Sequence, residues 1–139
     1  MTRLLIVLML FLSGCSMDVP SDVAQANDSV NRYRYMSEKD DIWKTPEQFY
    51  GDGGGDCEDF AIAKCELLRN NHDVQLLIAV NTSSGIAHAV LMVDEKFILD
   101  NVRKDVYSLG EFHDKHLPLF MIEDCGTDAI NTVKGSGAR

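Results

Sequence analysis

Gly51-Asp-Gly-Gly-Gly-Asp-Cys57-Glu-Asp-Phe-Ala-Ile-Ala-Lys64 is the stretch on which the reading of this chain turns. A glycine-rich, acidic loop runs into a cysteine, and the cysteine opens an amphipathic run. Three consecutive glycines allow a sharp turn and the close approach of another segment. Asp56 stands where an N-cap would stand. Cys57 then falls in the first helical turn, where unpaired N–H groups and the helix dipole favour a thiolate. Two readings are open at this point: a nucleophilic cysteine, or a capped helix carrying a buried one.

The surrounding pattern supplies a scaffold. Phe60, Ala61, Leu67 and Leu68 share one helical face, which predicts a helix from Cys57 to about Asn70, ended by Asn70-Asn-His-Asp73. Cys57 precedes Phe60 and Ala61 by three and four residues, so it points to the core side. Val74 to Val80, Ala87 to Val93 and Phe97 to Asp100 read as strands, joined by turns at Asn81-Thr-Ser-Ser-Gly85 and Asp94-Glu-Lys96. Val102 to Leu109 fits neither template. Leu117 to Ile122 reads as a last strand, placed at an edge by Pro118. Upstream, Asn27 to Met36 reads as a helix, and Thr45-Pro46 as N-cap and N1 of a short helix ending at Gly51. One central helix against a mostly antiparallel sheet is an α+β class.

A cysteine nucleophile needs an imidazole to take and return a proton, and a group to orient that imidazole. Of the four histidines, His72 stands in a polar loop and reads as exposed. His113 and His116 stand in Glu-Phe-His-Asp-Lys-His and read as a solvated loop in preference to a metal pair. His88 stands in a strand between small residues, and Asp100 closes the next strand. A turn centred on Glu95 makes His88 and Asp100 diagonal neighbours on one face. A turn centred on Asp94 sets them directly opposite. A two-residue turn at Glu95-Lys96 puts them on opposite faces, where they cannot meet. The register thus decides between a catalytic pair and a core histidine beside a strand-end acid.

Taken together, Trp43-Lys-Thr-Pro46, Gly53-Gly-Gly-Asp-Cys-Glu-Asp-Phe-Ala-Ile-Ala-Lys64, His88-Ala-Val-Leu91 and Leu99-Asp-Asn101 resemble the bacterial transglutaminase-like cysteine proteinases, a group that includes periplasmic adhesin-cleaving proteases. The resemblance spans roughly Asn27 to Ile122. It implies a papain-like, transglutaminase-like fold with the nucleophile at the N-terminus of the central helix. It implies Cys57 as nucleophile, His88 as general base and acid, and Asp100 as the residue orienting His88, acting through a thioester acyl-enzyme. The Cys57 N–H would bind the oxyanion, with Gln48 or Trp43 as the candidate second donor. Calcium-dependent members carry metal carboxylates that map onto Asp56, Glu58 and Asp59; hard oxygen donors suit Ca²⁺. The other reading of these acids is that they complement the helix N-terminus. The implied activity is that of a peptidase or amide hydrolase of the cell envelope. Acyl transfer from protein glutamine to an amine would use the same residues, and a non-catalytic calcium-binding lipoprotein module is the reading from another class. The implied partners are a protein substrate, such as a cell-surface protein, and a regulatory receptor protein.

The N-terminus reads as an export signal. Met1-Thr-Arg3 precedes the apolar run Leu4 to Leu12, too short to span a bilayer. Leu12-Ser-Gly-Cys15 resembles the bacterial lipobox, which makes Cys15 the lipidated first residue of the mature chain. Ser16 after it favours the outer membrane. The expected organisation is a signal peptide (1–14), a lipidated tether (15–26), the catalytic domain (27–125) and a loose tail (126–139). With Cys15 lipidated, Cys57, Cys65 and Cys125 remain, an odd number. Two reduced, buried cysteines are the default for Cys65 and Cys125, with a disulfide between them the alternative. Finally, 22 acidic against 13 basic residues give a net charge of −9 over 139 residues. Such a surface argues against nucleic acid as a partner.

Overall fold

The computed structural model describes residues 16–39, 42–123 and 125–126. The expected signal peptide, the expected lipidation site Cys15 and the expected tail from residue 127 onward lie outside the described residues. The elements run in the order α1 (Ser21–Val30), β1 (Arg34–Tyr35), α2 (Pro46–Asp52), β2 (Gly54–Gly55), α3 (Cys57–Leu68), β3 (Val74–Asn81), β4 (Ala87–Val93), β5 (Phe97–Leu99), β6 (Tyr107–Ser108), α4 (Leu109–His113) and β7 (His116–Ile122). Five strands form one sheet in the order β6-β5-β4-β3-β7, with antiparallel neighbours throughout. The two short strands β1 and β2 pair in parallel as a separate ribbon. Among the described residues no helix is long and apolar enough to cross a membrane.

Helix α3 is the centre of the packing because it is covered on both sides. Ala61, Ile62, Cys65 and Leu68 pack with Leu76, Leu91, Val93 and Leu99 of the sheet, joined by Val23 and Ala26 of α1. Phe60 and Ala63 pack with Val30 of α1 and Phe49 of α2. Each such large side chain contributes roughly 1.5–3 kcal/mol by leaving water. The other sheet face is covered by α4, where Leu77, Val90, Met92, Ile98, Tyr107 and Phe112 form a second cluster. Leu67 departs from expectation: it is 49% exposed although it shares the face of Phe60. It lies two turns further along α3, past the part that Phe49 covers.

Other boundaries also differ. Helix α1 starts at Ser21, not Asn27, and ends at Val30. Val23, Ala26, Asn27 and Val30 are its buried residues, so 21–26 belong to the packed body rather than to a tether. Asn27 is buried because its amide donates to the Lys104 carbonyl at 2.8 Å. Helix α2 begins as expected, with Thr45 and Gln48 forming a reciprocal cap at Pro46, and runs to Asp52 before Gly53 closes it. Strand β7 is an edge strand, and the register slips beside Pro118, where Ile78 faces Phe120 and Ala79 faces Pro118. Proline has no N–H to give the ladder, so the irregularity falls where the donor is missing. The ambiguous 102–109 segment resolves into a bend, β6 and the start of α4.

Two links hold distant parts together. Cys65 and Cys125 form a disulfide across a sequence separation of 60, the alternative and not the default reading. The chain after β7 returns over α3 and brings the Cα atoms within 6.3 Å. His72, expected in an exposed loop, is instead clamped between two carboxylates. Its Nδ1 lies 2.8 Å from Asp94 Oδ2 and its Nε2 2.8 Å from Asp22 Oδ2. It thereby ties α1 to the β4–β5 turn.

Both links make predictions. Closing a loop of this size is worth about 4 kcal/mol on the chain-entropy account. A Cys65→Ala, Cys125→Ala double variant should therefore lose several kcal/mol in urea unfolding, and a loss under 1 kcal/mol would contradict the account. For His72, the Asp22 and Asp94 hydrogen bonds raise the pKa above its ordinary value. The clamp's stabilisation is then fully present below about pH 6.5 and is lost as pH rises through the raised value. Wild type should lose stability relative to His72→Ala between pH 6 and 9, measured by urea midpoints; a constant difference across that range would refute the clamp.

Candidate active site

The loop before Cys57 is shaped by two close approaches. Gly54 has φ 147°, and a Cβ there would overlap the carbonyl oxygen of Arg34. A Cβ on Gly55 would overlap the Asp59 side chain. The absence of both side chains lets β1 lie against β2 in register, Arg34 facing Gly54 and Tyr35 facing Gly55. The Arg34 N–H donates to the Gly53 carbonyl at 3.1 Å, and the Met36 N–H to the Gly55 carbonyl at 2.8 Å. This parallel ribbon leads straight into Asp56, the N-cap of α3.

The three acids around Cys57 do different things. Asp59 is 1% exposed. Its Oδ1 accepts the Lys44 N–H at 2.7 Å and its Oδ2 the Asp56 N–H at 3.2 Å. Burial raises its pKa to about 6. Asp56 keeps Oδ1 buried without a hydrogen-bond partner; burial, with Glu58 beside it, raises its pKa to about 7. Glu58 accepts from the Cys57 thiol, Sγ to Oε2 3.2 Å.

Cys57 does not have the lowered pKa that its place at a helix start suggests. Burial pushes the thiol up to about 12; the Ala89 N–H opposes this, and Glu58 and Asp56 add to it. Desolvation and two neighbouring carboxylates together outweigh the helix dipole. The Ala89 contact locates the sulfur beside the backbone of the residue that follows His88.

The register across β4 and β5 pairs Leu91 with Leu99 and Val93 with Phe97, so the turn centres on Glu95. Asp94 and Glu95 both adopt positive φ to close it. His88 and Asp100 are therefore on one face, with Nε2 and Oδ1 2.8 Å apart. Asp100 is 4% exposed. It also accepts the Val102 N–H at 2.9 Å and the Tyr107 O–H at 2.8 Å. Burial works to raise the Asp100 pKa, but His88 and these donors outweigh it and hold the carboxyl below its usual value. With Nε2 engaged, Nδ1 is the ring atom left for a thiol.

Cys57, His88 and Asp100 line one open cavity of about 620 Å³. Tyr35, Ile86 and Val102 also line it, as does His116, whose ring stacks on Phe112 at 4.3 Å and lies 6.0 Å from His88. Sequence patterns do not mark Tyr35, Tyr107 or His116 for the site: two belong to two-residue strands, and the third stands in a polar stretch that reads as a solvated loop but opens β7. Trp43 and Gln48 do not line the cavity. Trp43 is buried in the core, and the Gln48 side chain accepts the Thr45 N–H at 2.9 Å. Neither is placed as the expected second oxyanion donor.

A cation would find hard oxygen donors in the Asp56 and Glu58 carboxylates, and the unpartnered Asp56 Oδ1 fits that role. Asp59 is the least free of the three, each oxygen already accepting a backbone N–H. Among the described residues no set of three or more His, Cys, Asp or Glu side chains is gathered as a metal centre.

Residues 15–117 match the sequence profile described as the bacterial transglutaminase-like cysteine proteinase. No curated relative matches the sequence. Among solved structures, Legionella pneumophila LapG is 27% identical, with a TM-score of 0.65 over 73% of this chain and 63% of that one. EGTA-treated LapG is also 27% identical, with a TM-score of 0.66 over 73% of this chain and 61% of that one. The chain thus spans less than two thirds of the length of these two relatives. Calcium-bound LapG, at 22% identity and a TM-score of 0.69 over 83% of this chain and 78% of that one, shares the fold. Because the profile covers most of the chain, from Cys15 to Leu117, the protein belongs to the bacterial transglutaminase-like cysteine proteinase family.

Proposed function

We propose that the protein is a cell-envelope cysteine peptidase that cleaves a peptide or amide bond of a protein substrate through a thioester at Cys57. The observation that carries this reading is the 2.8 Å bond from His88 Nε2 to buried Asp100, which leaves Nδ1 for the thiol in a cavity shared with Cys57. A thiol with a pKa near 12 does not ionise by itself at neutral pH. His88 takes the proton as sulfur attacks, and Asp100 stabilises the imidazolium that forms. The new S–C bond sends the carbonyl π pair onto oxygen, to which the Cys57 N–H, unused by the helix, can donate a hydrogen bond. Collapse expels the amine, protonated by His88. Water, deprotonated by the same imidazole, then releases the acyl group. An amine in place of that water would give acyl transfer with the same residues.

Asp56 and Glu58 are the residues that would hold calcium, with Asp59 bracing the loop through Lys44 and Asp56. A bound calcium ion would supply positive charge beside two acids that otherwise raise the thiol pKa. The calcium-bound LapG structure supports testing this ion first. Lipidation at Cys15 would hold the enzyme on the membrane facing the periplasm, the outer membrane being favoured by Ser16. The Cys65–Cys125 disulfide is compatible with such an oxidising compartment. Family resemblance suggests a cell-surface protein as substrate and a receptor protein as regulator.

Fluorescent iodoacetamide at pH 7 should label wild type on Cys57, and Cys57→Ala should lose the label. Equal labelling of the variant would contradict the assignment. Asp100→Asn should slow Cys57-dependent hydrolysis of p-nitrophenyl acetate by about 10⁴-fold, as loss of the orienting acid does in other triads. A change under tenfold would remove Asp100 from the mechanism. In differential scanning calorimetry, millimolar calcium should raise the thermal midpoint of wild type, and EGTA should reverse the rise. Glu58→Gln should blunt the response; no calcium effect on wild type would dismiss the ion.

A further inference from the structure

The oxyanion formed at Cys57 needs more than one hydrogen-bond donor, and the two residues suggested by the sequence lie elsewhere. The cavity wall offers few hydroxyl or amide donors. Tyr107 is committed to Asp100. The Ser84 and Asn81 side chains are anchored to the β3–β4 turn, Ser84 Oγ accepting the Ile86 N–H and Asn81 Oδ1 the Ser83 and Ser84 N–H groups, and Asn101, just past β5, has its Oδ1 buried. Tyr35 is different. Tyr35 lines the cavity with Cys57 and His88 and is 55% exposed, and its phenol has no hydrogen-bond partner among the described residues.

The backbone of Tyr35 is also fixed relative to the nucleophile. It pairs with Gly55, two residues before Cys57, and is held on both sides by the Arg34-to-Gly53 and Met36-to-Gly55 hydrogen bonds. The bare Gly54 and Gly55 backbones are what allow the strand that carries it to come so close. Burial raises the Tyr35 pKa, and the negative charge that can form at Cys57, Asp56 and Glu58 raises it further. The phenol thus stays an O–H donor across the neutral range.

We infer that Tyr35 is a catalytic residue whose phenolic O–H donates to the reacting carbonyl oxygen, sharing the oxyanion with the Cys57 N–H. This assignment rests on the peptidase reading of Cys57. In the step it assists, sulfur bonds to the acyl carbon, the π pair moves to oxygen under the Tyr35 and Cys57 donors, and its return expels the leaving group. The glycines then serve two ends at once. They start α3 at Cys57, and they admit the segment that completes the oxyanion site.

Two reagents separate this role from a general effect on the thiol. Acylation by p-nitrophenyl acetate passes through an oxyanion and releases p-nitrophenolate. Alkylation by iodoacetamide displaces iodide and forms no oxyanion. Both are measured on the full chain in calcium-containing buffer, for wild type, Tyr35→Phe and Cys57→Ala, with thermal midpoints as a folding control. Tyr35→Phe should slow the Cys57-dependent p-nitrophenolate burst by about 10²-fold and leave the alkylation rate at the wild-type value. An unchanged burst, or an equal fall in both reactions, overturns the assignment. A wild-type chain without a Cys57-dependent burst overturns the peptidase reading itself and this assignment with it. Because Tyr35→Phe removes one exposed oxygen, folding should be retained. If its midpoint nevertheless falls, Tyr35→Trp, which restores a ring donor, should recover part of the burst, and failure to recover any counts against the role.

Discussion

The backbone of Arg34 lies so close to Gly54 that no side chain fits between them, and this contact fixes where α3 begins. Glycine accepts the φ of 147° there without strain and leaves the carbonyl of Arg34 undisturbed. From that point the chain has little choice. Asp59 reaches back to the Asp56 N–H, Cys57 enters the first turn, and the two apolar faces of α3 are gripped by α1 and α2 on one side and the sheet on the other. The position of Cys57 is thus a consequence of core packing, relayed through a tightly apposed loop.

The electrostatics follow from the same burial. A thiol withdrawn from water beside Glu58 and Asp56 resists ionisation. Asp100, also withdrawn from water, is held ionised because it receives three hydrogen bonds, from His88, Val102 and Tyr107. One end of the arrangement therefore holds a proton tightly and the other holds a negative charge tightly, with His88 available to move the proton between states. This division of labour among titrating groups is the usual mark of acid–base chemistry. It also explains why the helix dipole alone is a poor guide at Cys57: its contribution is small beside the cost of desolvating sulfur.

Much of this was legible in the sequence. The 3.6-residue pattern after Cys57, the β-branched runs of β3 and β4, Pro118 at an edge and the Thr45-Pro46 helix start all reflect local chemistry. The hairpin was legible only up to its register. Asp94 and Glu95 close the turn with positive φ; Asp tolerates that region but Glu does not announce it, so the sequence leaves three registers open. Helix α1 was missed at its start because its buried face includes Ala26 and the polar Asn27, paired to a carbonyl 77 residues away. The same non-locality hid Tyr35 and Tyr107, each on a two-residue strand whose partner is remote or irregular. The partner of Cys65 was open for a related reason: parity leaves one thiol free but does not say which pair closes.

In the proposed mechanism Cys57 depends on His88 for the loss of its proton. The rate of Cys57 alkylation by iodoacetamide at pH 7 in His88→Gln, set against wild type at matched thermal stability, tests it most directly. A fall on the order of 100-fold is expected if His88 is the base, in keeping with the size of general-base effects. A rate equal to that of wild type would contradict it.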